Sequence, residues 1–169
     1  MQVQPQLRLP TISVALRVVV VGKQELLATE VFIPDTPRAG RTALIDDVVA
    51  LLEDASDFVP MREADGSVKL FSKQALACIA VQRNTGAGAD DDPSGVFTLY
   101  EHQQKVEVEL LGGRRLEGML MDSSPSGRSR AVDHLNRAGR FVRLWSAEEH
   151  YLINKGQIVH VGELAWTPE

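Results

Sequence analysis

The chain repeats itself, and this repeat is the strongest constraint on what it can fold into. The segment FSKQAL at residues 71–76 has a counterpart in INKGQI at residues 153–158. Ahead of them lie two more matching segments, FVPM at 58–61 and FVRL at 141–144. A period of roughly eighty residues is too long for a solenoid unit and suits two copies of a small domain. The sequence therefore predicts an internally duplicated protein.

The second half carries the clearest secondary-structure pattern. Residues 105–110 alternate apolar and polar side chains, which is typical of a half-buried strand. Gly112 and Gly113 supply a tight turn, and residues 114–121 return as a second strand that Gly118 is expected to bend. A short helix follows, with Ser129 as its N-cap and its end near Gly139. Three further strands are predicted at 141–145, 151–153 and 158–161.

The first half has the same order of elements. Its predicted strands and its longer, more apolar helix cover, in order, residues 14–21, 26–33, 44–52 (the helix), 68–71 and 76–81. Because 58–61 matches 141–144, Phe58 and Phe141 are expected to have the same role, and Phe141 is predicted to lie in the core. The predicted fold class is mainly β with inserted helices (α+β): two tandem five-stranded SH3-like barrels, each with a helix after its second strand.

A linker is predicted between the two halves. Residues 83–95 hold three glycines, a proline and three consecutive aspartates, a composition that cannot build a core. The predicted domains are therefore a first barrel at 1–82, a Gly/Asp-rich linker at 83–95 and a second barrel at 96–169.

Residues 106–121 resemble the first motif of Sm-like (Hfq- and LSm-type) proteins, a family of RNA chaperones: an alternating strand, a glycine turn and a returning strand with a central glycine. Residues 155–158 stand where such proteins carry their second motif. The chain also looks like a small bacterial domain family that joins a hairpin to an Arg-x-x-Asp-x-Leu-Asn helix, matched by 130–136, and to a closing Asn-Lys-x-x-Ile strand, matched by 154–158. These resemblances imply two Sm-like barrels and a link to RNA.

The residues that form the RNA pocket in Sm-like proteins are missing here. The asparagine expected after the second strand is absent, because Asp122 is followed by two serines. Gly156 stands where a histidine would be. The resemblance therefore implies the fold more strongly than it implies an RNA site.

Composition argues against several classes of protein. A net charge of −5 is unlike that of a DNA-coating protein. Cys78 is the one cysteine, which excludes a disulfide framework, and its apolar neighbours predict a buried strand thiol. The four histidines lack metal-ligand spacing and no nucleophile lies in a general-base pattern, so no catalytic residue, metal or cofactor is expected and the chain is not predicted to be an enzyme. No apolar stretch approaches the ~20 residues of a membrane span, which favours a cytoplasmic protein without membrane contact.

The predicted first helix is richer in apolar residues than one buried face requires. Val48, Val49 and Leu52 form the excess, and this predicts a docking surface for a protein partner. The alternative is that the second barrel covers them.

The second half carries the basic residues that could contact nucleic acid. Arginine binds phosphates through bidentate contacts and stacks on bases, so a basic rim predicts a nucleic-acid interface. Its alternatives are salt bridges within the chain, to Glu107, Glu109 and Glu117, or an acidic protein partner. The candidate residues are Arg114, Arg115, Arg128, Arg130, Arg137, Arg140 and Lys155.

Two functional hypotheses follow from the sequence. The first is a non-catalytic protein-interaction or assembly (adaptor) module that binds a protein partner or self-associates through open barrel edges and the inserted helices. The second is binding of RNA or single-stranded nucleic acid through the arginine-rich second half, which predicts a steep dependence of affinity on salt.

Overall fold

The computed structural model of the chain describes residues 10–35, 44–82, 102–122 and 131–165. In that part of the chain lie ten strands, two α-helices and two single-turn 3₁₀ helices. In chain order these are β1 (Thr11–Val20), β2 (Leu26–Pro34), α1 (Leu44–Glu53), β3 (Phe58–Glu63), β4 (Val68–Ser72), a 3₁₀ turn (Lys73–Ala75), β5 (Leu76–Gln82), β6 (His102–Leu110), β7 (Arg115–Asp122), α2 (Ala131–Leu135), β8 (Phe141–Trp145), β9 (Glu149–Asn154), a second 3₁₀ turn (Lys155–Gln157) and β10 (Ile158–Glu163). The predicted linker, and with it the predicted domain boundaries at 83 and 95, lies outside the described residues.

All ten strands belong to one antiparallel sheet, in the order β10-β6-β7-β8-β9-β5-β1-β2-β3-β4. The prediction of two separate five-stranded barrels is therefore wrong. β5 joins the two halves because it pairs with β1 on one side and with β9 on the other. Its residues from Leu76 to Val81 are all buried, and a strand on each side pairs with its backbone N–H and C=O groups, which burial removes from water.

The second inserted helix ends earlier than predicted, at Leu135 and not near Gly139. α2 covers only Ala131–Leu135, whereas α1 covers the ten residues Leu44–Glu53. Ser129, the predicted N-cap, lies outside the described residues. Apart from these corrections, most strands lie close to the positions that periodicity predicted, and Phe141–Trp145 matches residue for residue.

The strand order within each half is the same. Residues 11–82 run β5-β1-β2-β3-β4 and residues 102–163 run β10-β6-β7-β8-β9. The matching segments 71–76 and 153–158 fall at equivalent places, across the 3₁₀ turn that leads into the last strand of each half. Their lysines make equivalent backbone contacts, because the N–H of Lys73 donates to the Asp57 carbonyl and the N–H of Lys155 to the Arg140 carbonyl, both at 2.9 Å.

The same two lysines fix the chain that follows each helix. Lys73 has no exposed surface, and its Nζ donates to the Asp54 carboxylate at 2.6 Å and to the Asp54 carbonyl at 3.3 Å. Lys155 Nζ donates to the Arg137 carbonyl at 2.6 Å. A cation near the carbonyl end of a helix satisfies acceptors that the helix leaves open. Each half therefore ties its helix to its 3₁₀ turn with a lysine.

The hydrophobic side chains form two clusters, and each cluster draws on both halves. The first is built mainly from residues 14–81 and also contains Phe141 and Leu152. The second is built mainly from residues 106–153 and also contains Val19, Ala77 and Cys78. Neither half thus has a core made only of its own residues.

The structure explains why residue 118 is a glycine. A Cβ at this position would lie 2.5 Å from the Trp145 carbonyl oxygen and 2.7 Å from Leu144 Cγ, so only glycine fits without displacement. β7 and β8 meet in register at Met119 and Trp145. The bend predicted at Gly118 falls where β8 passes close to β7.

Two further predictions concern single features of the chain. Cys78 is 2% exposed, which confirms a buried strand thiol. Among the described residues no helix is both long enough and apolar enough to cross a bilayer.

Candidate assembly interface

The two halves meet through a strand-to-strand joint between β5 and β9. Five pairs of Cα positions are in register, from Cys78 opposite Ile153 to Gln82 opposite Glu149. In β9 every residue except Tyr151 is buried. The joint combines backbone hydrogen bonds with apolar contact on both faces of the sheet, which makes it the structural centre of the molecule.

A buried asparagine spans this joint. Asn154 is 4% exposed, and its Nδ2 donates to the carbonyls of Leu76 at 3.0 Å and Lys73 at 3.2 Å. Its Oδ1 accepts the N–H of Gly156 at 3.0 Å. One buried side chain thereby satisfies backbone groups of both halves.

Helix α1 holds the β8–β9 hairpin from the side. The Glu53 carboxylate accepts the backbone N–H of Arg140 at 2.8 Å and that of Phe141 at 2.7 Å. Asp46 forms an ion pair with Arg143. The helix of one half thus binds the third strand of the other, β8, through an ion pair and through a carboxylate that accepts two N–H groups.

An ion pair closes the far end of the joint. Arg17 on β1 binds Glu149, whose side chain is 8% exposed, and this hydrogen bond raises the pKa of Arg17. Burial, followed by the hydrogen bond to Glu149, raises the pKa of Tyr151. Both effects favour an arginine cation and a neutral tyrosine at this end.

Two strands keep a free edge. Among the described strands β4 pairs only with β3, and β10 pairs only with β6. β4 has the place in the first half that β9 has in the second, and β10 has the place in the second half that β5 has in the first. The free edges are therefore of the same two kinds that meet in the internal joint.

Beside the β4 edge lies an apolar surface that we name the hairpin patch: Phe58, Pro60, Val68 and Leu70. In the register of β3 and β4, Pro60 lies opposite Leu70. Leu70 is 70% exposed, and Phe58 and Val68 are each 56% exposed. Sequence reasoning missed this patch because it gave no strand at residues 58–63 and matched Phe58 to Phe141, which was predicted to lie in the core. The signal that could have found it is the apolar Phe-x-Pro and Val-x-Leu alternation opposite Val59 and Met61, which are buried.

The docking residues predicted on the first helix are not part of the hairpin patch. Val48 is 0% and Leu52 is 1% exposed, and Val49 is half-buried against the first core cluster. They belong to or pack against the first core cluster, which is built mainly from the first half and also contains Phe141 and Leu152. These three side chains do not form an open surface on α1.

The predicted basic rim is not a single cluster of free guanidinium groups. Arg115 forms ion pairs with Glu107 at 3.6 Å and Glu109 at 3.1 Å, as in the salt-bridge alternative. Arg114 donates to the Gln24 carbonyl at 2.7 Å.

The other basic candidates divide between backbone contacts and the undescribed segment. The carbonyl of Arg137 accepts Lys155 Nζ, and the N–H of Arg140 is held by α1. Arg128 and Arg130 lie outside the described residues.

An open pocket of about 560 Å³ lies in the first half. Its lining includes Ala15, Ala28 and Ala80, and also Arg17 and Arg62. Both arginines already pair with glutamates. In the described part of the chain no group of three or more His, Cys, Asp or Glu side chains is placed to hold a metal ion.

Comparison with known proteins gives one partial similarity. The chain is 26% identical, over 132 residues, to the protein translocase subunit SecA of Chromohalobacter salexigens; the match covers 72% of this chain and 14% of that protein. No protein-family model matches, and no solved structure matches. The resemblance to Sm-like proteins thus stays a prediction.

Proposed function

We propose that this protein is a non-catalytic assembly module whose copies associate through the two free edges of the sheet. The observation that carries the proposal is the internal joint. In that joint β9 pairs with β5. The two free edge strands are their equivalents in the other half: β4 is equivalent to β9, and β10 is equivalent to β5. An open edge presents unpaired N–H and C=O groups that another strand satisfies.

The exposed side chains beside β4 support the same proposal. Proteins protect open edges with charges, prolines or bulges, and within β4 Lys69 is the one charged residue and there is no proline. Phe58, Val68 and Leu70 remain more than half exposed. Burial of such a side chain stabilises a contact by about 1.5–3 kcal/mol when it is complete.

The similarity to part of SecA supports a role in protein contact without specifying one. That protein is named as a subunit, and the matched segment is a small fraction of its length. Nucleic-acid binding is the weaker candidate, because Arg114 and Arg115 among the described basic residues are engaged within the chain.

Self-association is tested by the mass of the protein in solution. Sedimentation velocity or mass photometry from about 0.1 to 100 µM should show a mass above the 18.6 kDa monomer that rises with concentration. Leu70→Lys should keep the protein monomeric, because a charge then stands in the hairpin patch. Leu111→Lys is the matched control, since Leu111 is 63% exposed but lies at a turn.

Two results would count against the proposal. One is a wild-type protein that stays at 18.6 kDa over the whole range. The other is an association that Leu70→Lys and Leu111→Lys weaken equally, since the contact would then not depend on the β4 edge.

A further inference from the structure

We infer that copies join head to tail: β4 of one copy pairs with β10 of the next, and the hairpin patch of the first copy packs against helix α2 of the second. This inference rests on the proposed self-association and names the two surfaces that meet. It is argued from the internal joint, in which each of these elements has a counterpart already in contact.

The hairpin patch is the exposed counterpart of a buried surface. The matching segments place Phe58 at the position of Phe141, and Leu70 at the position of Leu152. Phe141 and Leu152 are 9% and 0% exposed, whereas Phe58 and Leu70 are 56% and 70% exposed. The difference arises because the β8–β9 hairpin has α1 and the first core cluster beside it. Among the described residues, the β3–β4 hairpin has no such neighbour within its own chain.

The receiving surface is identified by the same comparison. Lys73 binds the carbonyl of Asp54, and Lys155 binds the carbonyl of Arg137, so these two positions after the helices correspond. One residue earlier, Glu53 corresponds to Asn136. Asn136 is exposed, and its side-chain oxygen is an acceptor, as is the Glu53 carboxylate that binds the N–H of the hairpin.

Helix α2 also offers apolar contact. Counting back from Asn136, Val132 corresponds to Val49, which packs against the first core cluster. Val132 is 53% exposed and Leu135 is half-buried. An apolar side chain on α2 therefore lies open where its counterpart on α1 packs against the first core cluster.

The internal joint also fixes the expected register. Ile79 lies opposite Leu152, so Val161 of one copy is expected opposite Leu70 of the next. Cys78 lies opposite Ile153, which places His160 opposite Phe71. In this register the pair of Val161 and Leu70 between copies is apolar, as is the pair of Ile79 and Leu152 in the internal joint, and Leu70 becomes buried.

A head-to-tail contact leaves one free β4 and one free β10 on every pair, so further copies add until the assembly closes into a ring or continues as a filament. A contact between two β4 edges would instead stop at a dimer. These two outcomes are distinguished by mixing variants that each lack one surface.

The first experiment mixes Leu70→Lys, which lacks the hairpin patch, with Val132→Lys, which lacks the receiving helix surface. Each variant alone should associate at least about tenfold more weakly than wild type, because a buried apolar contact is replaced by a charge. An equimolar mixture should form a dimer and nothing larger, since one intact patch meets one intact α2. A mixture that stays monomeric, or a Val132→Lys protein that associates as wild type does, would overturn the inference while leaving self-association in place.

The second experiment reads the register directly. Leu70→Cys and Val161→Cys proteins are mixed and oxidised, and the control mixture contains Val68→Cys and Val161→Cys. Cross-strand partners have Cα atoms within disulfide range, whereas a shift of two residues moves them out of it, so the first mixture should cross-link about tenfold faster. Cys78 is buried and does not compete. Equal rates in the two mixtures, with association intact, would refute the register alone, whereas a monomeric wild type would refute the proposed function itself.

Discussion

Asn154→Ala should lower the free energy of unfolding by about 2.5 kcal/mol, and the figure follows from three contacts. The side chain has two N–H donors, and they serve the carbonyls of Leu76 at 3.0 Å and Lys73 at 3.2 Å; both residues are fully buried. A buried acceptor left without a donor costs about 1–3 kcal/mol, and the lower end applies because each carbonyl has a second lone pair. The bond from Gly156 to Oδ1 adds about 0.5 kcal/mol, since water can replace it at a partly buried site.

The matched control for this change is Ser72→Ala. Ser72 has the same place before the first 3₁₀ turn, but its side chain makes no capping hydrogen bond, so its removal should change stability by less than about 0.5 kcal/mol. Urea unfolding followed by circular dichroism, at one protein concentration, gives the free energy of unfolding of each variant. If Asn154→Ala and Ser72→Ala lose the same amount, the asparagine does not hold the joint together and the reasoning fails.

Three further predictions concern single residues. Gly118→Ala should lower the free energy of unfolding by about 1–3 kcal/mol, because the new Cβ would collide with the Trp145 carbonyl oxygen. Gly112→Ala, which has open space around it, should leave stability nearly unchanged. Similar losses for both variants would contradict the close approach of β8 to Gly118. The hydrogen bond from Lys73, together with those from Ser56, lowers the pKa of Asp54 from 3.8 to about 2, so the free energy of unfolding of the wild type should fall as the pH drops from about 4 to about 2. Asp54→Asn should remove this fall. Plots of stability against pH that run parallel for the two proteins would contradict the prediction. Burial raises the pKa of Cys78 to about 12, so the native protein should resist thiol reagents at pH 8 and react once unfolded in urea; rapid labelling of the native state would show an accessible thiol.

Local pattern was enough to locate most strands of this fold. Alternation and turn glycines placed the first hairpin of each half, and the apolar run from residue 44 placed α1 to within one residue of its end. Pairing between β5 and β9 could not be predicted this way. An all-apolar strand such as β5 shows that both its faces are buried, but its sequence does not say which strand lies at its side.

The same limit explains the errors at the candidate site. The apolar excess of Val48, Val49 and Leu52 was read as a docking surface, yet Val48 and Leu52 are buried in the first core cluster and Val49 packs against it. Phe58 and Phe141 lie in matching sequence segments, but Phe58 is 56% exposed and Phe141 is 9% exposed. Repetition predicts equivalent positions in the backbone, but burial depends on what packs beside each copy, and only Phe141 has α1 next to it.

Because each hydrophobic cluster borrows residues from across the chain, truncation is a poor way to map binding partners of this protein. A fragment that stops at residue 82 would uncover Val19, Ala77 and Cys78, and one that starts at residue 102 would uncover Phe141 and Leu152. Non-specific binding of either fragment in a capture assay would then reflect these newly exposed core residues and not a natural contact. Point substitutions on the intact chain avoid that artefact.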